Sequence, residues 1–147
     1  MNGISVRLVF SERKDLWNVE ESSSLVGSTF RKPQGMEKKL KNCKSFRPPS
    51  IVFVQTKAIA IENTHNFGGG FVQSFSEITE LRKASSAVGI NMHLDGARIW
   101  NAHVASGIAL KDFGSQFDTI SVCFSKGLGA PVGSAILSTK DRIAESR

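Results

Sequence analysis

No apolar run in this 147-residue chain approaches the ~18–20 residues of a membrane span, and Met1 to Phe10 holds no extended apolar stretch of the signal-peptide kind. Neither a membrane-embedded nor a secreted protein is expected. Cysteine is scarce: Cys43 and Cys123 belong to no CxxC pair and no Cys/His cluster with zinc spacing. This excludes a disulfide-dense scaffold and points to a reducing, cytoplasmic setting. A G-x-S-x-G elbow is missing, and His65, His93 and His103 lack the i, i+4 spacing of a helical zinc site, so hydrolase chemistry and a bound metal are not expected. Gly127-x-Gly129 follows a predicted strand, but the next glycine is Gly133, Pro131 intervenes and another strand follows, so the dinucleotide fingerprint fails. Gly68-Gly69-Gly70 lacks the Lys-Ser/Thr of a phosphate loop and is expected to be a flexible hinge.

What remains is an ordinary globular composition, with 40% apolar and 22% charged residues and a length suited to one core. The formal charge of +6 would suggest a nucleic-acid partner if it were spread along the chain. It is not. Residues 1–50 hold ten Lys and Arg against five Asp and Glu, and residues 51–147 hold nine against eight. The first segment, with basic clusters, a serine run and Pro48-Pro49, reads as a leader of low order. A short helix over Met36–Lys41 fits its pattern, with a basic face of the solvated kind. Interleaved aromatics for single-strand binding are missing, so no nucleic acid is expected as a partner.

From Lys57 onward, strands and helices alternate. Ala58–Ile61 is a short apolar strand that ends in Glu62-Asn63-Thr64-His65-Asn66. Ser74 and Glu77 have capping-box spacing, and Ile78, Leu81, Ala84 and Val88 recur at helical period until Gly89. Ile90–Leu94 predicts a second strand running into Asp95-Gly96, followed by a helix over about Ala97–Ala105, closed by Gly107. Thr119–Phe124 and Val132–Leu137 predict two more strands, and the chain stops at Arg147 within the pattern of another helix. The fold class is α/β, a mixed, mostly parallel sheet with flanking helices. Such sheets bind ligands beyond the carboxyl ends of their strands, where His65, Asp95 and Lys126 fall.

Asp95 and Lys126 stand about one strand-helix-strand crossover apart. A lysine between Ser125 and Gly127 has little to obstruct its approach to a carbonyl compound, with which a neutral amine forms a Schiff base. An aspartate beside a pyridine nitrogen holds that nitrogen cationic and makes the ring an electron sink. Together they suggest pyridoxal phosphate, although a surface lysine and a helix-capping aspartate satisfy the same spacing.

The wording of three segments goes further. Glu62-Asn63-Thr64-His65-Asn66, His93-Leu94-Asp95-Gly96-Ala97-Arg98-Ile99-Trp100-Asn101-Ala102 and Ser121 to Ser134, with its Ser-Lys-Gly-Leu-Gly core, together resemble the L-threonine aldolase family. The resemblance runs from about Thr56 to the C-terminus. It implies the major domain of the aspartate-aminotransferase type of pyridoxal-phosphate fold, here its central part, with residues 51–147 as a partial cofactor domain and 1–50 outside it. It implies that Lys126 carries the cofactor, Asp95 pairs with the pyridine nitrogen, Arg98 binds the substrate carboxylate and His65 assists proton removal from the substrate hydroxyl. His93 and His103 are left to structure. The implied function is a carbon–carbon lyase of threonine catabolism and glycine biosynthesis, cleaving L-threonine or L-allo-threonine to glycine and acetaldehyde, as a homo-oligomer. Family members are longer, with a phosphate-binding turn and a stacking histidine that have no counterpart here. A truncated, inactive fragment is therefore the alternative, as is a related β-eliminating lyase, since the lysine and aspartate alone do not choose the reaction.

Overall fold

The computed structural model describes residues 3–10, 28–31, 56–66 and 68–145. The helix expected over Met36–Lys41 and the Pro48-Pro49 segment lie outside the described residues. Six strands form one sheet in the order β2-β1-β3-β4-β5-β6, from β1 (Gly3–Phe10), β2 (Ser28–Arg31), β3 (Thr56–Glu62), β4 (Asn91–Gly96), β5 (Thr119–Cys123) and β6 (Ser134–Ser138). β3, β4 and β5 run parallel, while β1 joins β3, β2 joins β1 and β6 joins β5 in antiparallel fashion. The mixed sheet with flanking helices is thus present. Two of its strands also lie within the first fifty residues, where the aperiodic composition gave no strand signal.

β3 is buried almost throughout, as a parallel strand covered on both faces must be, with Ala58, Ile59 and Ile61 all but inaccessible. β4 alternates instead: Met92, Leu94 and Gly96 are buried, whereas Asn91 and His93 are half-buried and Asp95 is exposed. Period two therefore aims Asp95 away from the core that Leu94 enters. Helix α1 (Phe75–Ala87) lays Ile78, Leu81 and Ala84 into that core, α2 (Ile99–Ser106) adds Ile99 and Ala102, and the short α3 (Leu110–Gly114) adds Phe113, whose ring meets Phe75 edge-on at 5.5 Å. A last helix, α4, spans Lys140–Glu145. None of the described helices is long and apolar enough to cross a membrane.

Ser74 occupies the N-cap position of α1, but its Oγ pairs with Ser76 Oγ at 2.8 Å and makes no capping bond. Capping-box spacing located the helix start without supplying the expected hydrogen bond. Gly107 ends α2 in the left-handed region, φ 71°, where glycine carries no Cβ penalty. The α3 turn lacks a sustained period and was not foreseen.

At the amino end of β5, Asp118 ties four elements together. Its carboxylate takes a bidentate pair from Arg82 of α1, accepts the Met92 N–H of β4 at 2.8 Å and lies 3.7 Å from Arg142 of α4. Burial opposes the charged carboxylate, but these hydrogen bonds and cations outweigh it and hold the Asp118 pKa below the usual aspartate value. A depressed carboxylate pKa stabilises the fold above the unfolded-state value, and that contribution drains away as pH falls through the folded one. Asp118→Asn should therefore cost about 1.5–3 kcal/mol at neutral pH, read by urea unfolding, and the gap to the parent should shrink by about pH 3. A gap of undiminished size in acid would show that charge is not what stabilises this joint.

Candidate active site

The parallel register sets Glu62 beside Asp95 and Asp95 beside Ser121, so the carboxyl ends of β3, β4 and β5 form one rim. Asn63 extends the ladder by donating its N–H to Asp95 O at 3.0 Å. Its buried side chain accepts the Gln73 N–H at 3.1 Å through Oδ1. Asn63 Nδ2 and Gln73 Oε1 are buried with no hydrogen-bond partner among the described residues.

The loop after β3 is built by backbone hydrogen bonds: His65 N–H to Phe71 O at 2.9 Å, Gly70 N–H to His65 O at 3.0 Å and Gly69 N–H to Asn66 O at 3.1 Å. Gly69 and Gly70 take φ of 73° and 81°, so the glycines close a hydrogen-bonded turn where sequence suggested a slack hinge. Gly68 donates its N–H to His65 Nδ1 at 2.9 Å, and a Cβ there would fall 2.8 Å from that nitrogen. Glu62 joins the parts of the rim. Its Oε1 accepts the Asn66 N–H at 3.1 Å and lies 3.8 Å from Arg98 Nη1, while Oε2 lies 3.7 Å from His65 Nε2.

Asp95 is exposed at the end of β4, and its Oδ1 accepts the Ala97 N–H at 3.1 Å in an Asx-type turn. It does not cap α2, whose N-cap position belongs to Arg98. Beyond β5, Lys126 is exposed and its Nζ contacts Cys123 Sγ at 3.2 Å. Its loop is closed by Gly129 N–H to Lys126 O at 2.9 Å and Ala130 N–H to Phe124 O at 3.0 Å. Trp100 Nε1 donates to Cys123 O at 3.1 Å, and a Cβ on Gly127 would meet Asn101 Oδ1 at 2.8 Å. The lysine loop thus rests on the first turn of α2, immediately after Asp95 and Arg98.

His65, Asp95, Arg98 and Lys126 therefore share one end of the sheet. His93 and His103 are bonded within the scaffold, to Thr119 Oγ1 at 2.7 Å and to Ile108 O at 2.6 Å. Burial lowers the His93 pKa, against the opposite pull of the Asp95 charge. Sequence reasoning missed Glu62 as the shared partner of His65 and Arg98, and Trp100 and Asn101 as supports of the lysine loop. The available signal was nearness along the chain: Glu62 stands three and four residues before His65 and Asn66, and Trp100 and Asn101 stand two and three residues after Arg98. Among the described residues, no three His, Cys, Asp or Glu side chains group to hold a metal ion.

The family model described as beta-eliminating lyase matches residues 26–147. The chain belongs to that family. It is 42% identical over 91 residues to a low-specificity L-threonine aldolase of Candida albicans, covering 62% of this chain and 24% of that protein. A low specificity L-threonine aldolase of Escherichia coli is 40% identical over 97 residues, covering 66% and 28%. A crystal structure of a Listeria monocytogenes protein assigned as an L-allo-threonine aldolase superposes with TM-score 0.62 at 27% identity, over 72% of this chain and 28% of that one. The chain spans about a quarter of the length of the curated relatives it matches.

Gly96, next to Asp95, is where the rim tolerates least. A Cβ there would lie 2.9 Å from the Ser121 carbonyl oxygen and 3.3 Å from Ile99 Cβ, forcing β4 from β5. Gly96→Ala should cost about 1–3 kcal/mol. Gly114→Ala, whose added Cβ would meet only Ile120 Cδ1 at 3.7 Å, should cost far less. Urea midpoints of the two variants compare them directly, and equal losses would contradict the close-approach explanation.

Proposed function

We propose that the chain carries the amine, the ring-pairing carboxylate and part of the substrate site of a pyridoxal-phosphate-dependent carbon–carbon lyase. Its substrates are β-hydroxy-α-amino acids, L-threonine and L-allo-threonine, cleaved to glycine and acetaldehyde. The observation that carries this is the convergence of an exposed amine, Lys126, and an exposed carboxylate, Asp95, on the carboxyl rim of adjacent parallel strands, with Arg98 and His65 on the same rim. The similarity to threonine aldolases supports the same reading.

The donor set fits the cofactor. Lys126 offers a primary amine for its aldehyde, on a loop that glycine keeps clear of side chains, and Asp95 offers a carboxylate for its ring nitrogen. When bound, the cofactor supplies an electron sink for the Cα–Cβ bond to be broken. Everything else falls to the protein. Arg98 offers a planar fork to the substrate carboxylate, for which Glu62 stands in as counter-ion at 3.8 Å. His65 presents its Nε2 edge for the substrate β-oxygen. Asp95 keeps Oδ1 fixed on the Ala97 N–H, so its carboxylate orientation is set before any ligand arrives. The thiol of Cys123 suits a reducing, cytoplasmic compartment. The exposed Ile136 and Leu137 of β6 suit a homo-oligomer.

Borohydride reduction of the chain incubated with pyridoxal phosphate, followed by peptide mass mapping, should place the label on Lys126. Label on Lys57, Lys111 or Lys140 with Lys126 unmodified would sink the assignment. Product analysis separates the family's two chemistries, because aldol cleavage of threonine releases glycine and acetaldehyde whereas β-elimination releases ammonia and a keto acid.

A further inference from the structure

We propose that Cys123 and Lys126 form a modification site, at which a hydroperoxide joins the thiol sulfur to the amine nitrogen as a sulfenamide and so takes the amine out of use. The Cys123 thiol is the nucleophile that the lyase function leaves idle. It is half-buried at the end of β5, belongs to no disulfide, and its Sγ accepts a hydrogen bond from Lys126 Nζ at 3.2 Å. The long lysine side chain thus turns back three residues to rest on sulfur. Backbone hydrogen bonds hold both residues in that relation: Trp100 Nε1 donates to the Cys123 carbonyl at 3.1 Å, and the Gly129 N–H donates to the Lys126 carbonyl at 2.9 Å. Passing from contact to bond therefore takes side-chain rotation, with the loop left as it is.

In the first step the Cys123 sulfur, as thiolate, attacks a peroxide oxygen. An S–O bond forms, the O–O bond breaks, sulfur is oxidised by two electrons to the sulfenic acid, and the other oxygen leaves with a proton as water. In the second step the lone pair of neutral Nζ attacks that sulfur. The S–N bond forms, the S–O bond breaks, and the hydroxyl leaves as water with one amine proton, so no further oxidant is consumed. Sulfenic acids also condense with thiols and with backbone nitrogen. Here the adjoining backbone nitrogen, that of Phe124, donates its proton to Gly133 O at 2.9 Å, and Cys123 is the one free cysteine among the described residues. Nζ is already in contact, and proximity favours it. Two equivalents of a small thiol reverse the linkage, returning thiol and amine and leaving as a disulfide. The cross-link rests on this geometry by itself; its consequence, that oxidation closes the site to an aldehyde cofactor, rests on the lyase function proposed above.

Two measurements on the full chain test this. The chain is treated with equimolar hydrogen peroxide, unfolded, and digested with trypsin without reductant. Trypsin cuts after Lys111, Lys126 and Lys140, so the unmodified chain gives separate peptides 112–126 and 127–140. A linked Lys126 is not cut, and a single peptide 112–140, lighter by two hydrogens, should replace them. Dithiothreitol before digestion should restore both peptides. The single peptide should persist in Cys43→Ser and vanish in Cys123→Ser. Intact cleavage after Lys126, with Cys123 carrying only oxygen or a disulfide, overturns the proposal. In the second measurement, uptake of pyridoxal phosphate is followed by its absorbance before and after peroxide. Uptake should fall in proportion to the linked fraction in the parent and hold steady in Cys123→Ser. An equal fall in the two proteins overturns the consequence for the site. Absence of uptake in every untreated sample would instead count against the lyase function, and the peptide map would still decide the cross-link.

Discussion

The parallel ladder that sets Glu62 beside Asp95 and Asp95 beside Ser121 is the constraint on which the rest of the site depends. A parallel register brings the strands to an end at the same level, so whatever follows each strand meets whatever follows its neighbours. Three segments far apart in the chain thereby deliver a histidine, an aspartate with its arginine, and a lysine to one rim. The alternation within β4 does the remaining selection, because burying Met92, Leu94 and Gly96 obliges Asp95 to face outward.

The two ends of this ladder are held by different kinds of bond. At the amino end, Asp118 is a partly buried carboxylate saturated by a guanidinium, a second cation and a backbone N–H, which suits a joint meant to stay fixed. At the carboxyl end, Glu62 sits 3.7–3.8 Å from His65 and Arg98, a looser and more exposed association that screening weakens. The rigid contacts hold the sheet, and the weak ones leave donors that a ligand can claim. Between them, α2 serves both purposes, packing Ile99 and Ala102 into the core while its first turn supports the lysine loop through Trp100.

Much of this was legible in the residues. The apolar run at Ala58–Ile61, the helical period of Ile78, Leu81 and Ala84, and the glycines Gly89 and Gly107 marked the order of elements from β3 to α2, because period and punctuation are local properties of the chain. The wording around His65, Asp95 and Lys126 picked out three segments that the fold brings to one rim, for the same reason: each motif is contiguous in the chain. The strands in the first fifty residues left no such trace. β1 holds its place by pairing with β3, and pairing between distant segments is not written in the composition of either.

The sequence by itself determined which groups stand at the strand ends and which family the chain resembles. Tertiary structure decided how those groups are held. It turned Gly68-Gly69-Gly70 from a hinge into a closed turn, gave Gly127 its reason in the nearness of Asn101, and made Glu62 the common partner of Arg98 and His65. It also settled which nitrogen of His65 accepts a hydrogen bond, a question no motif poses. Each of these depends on distances of 3–4 Å between atoms whose positions are set only when β3, β4 and α2 have packed, and a one-dimensional pattern does not contain such distances.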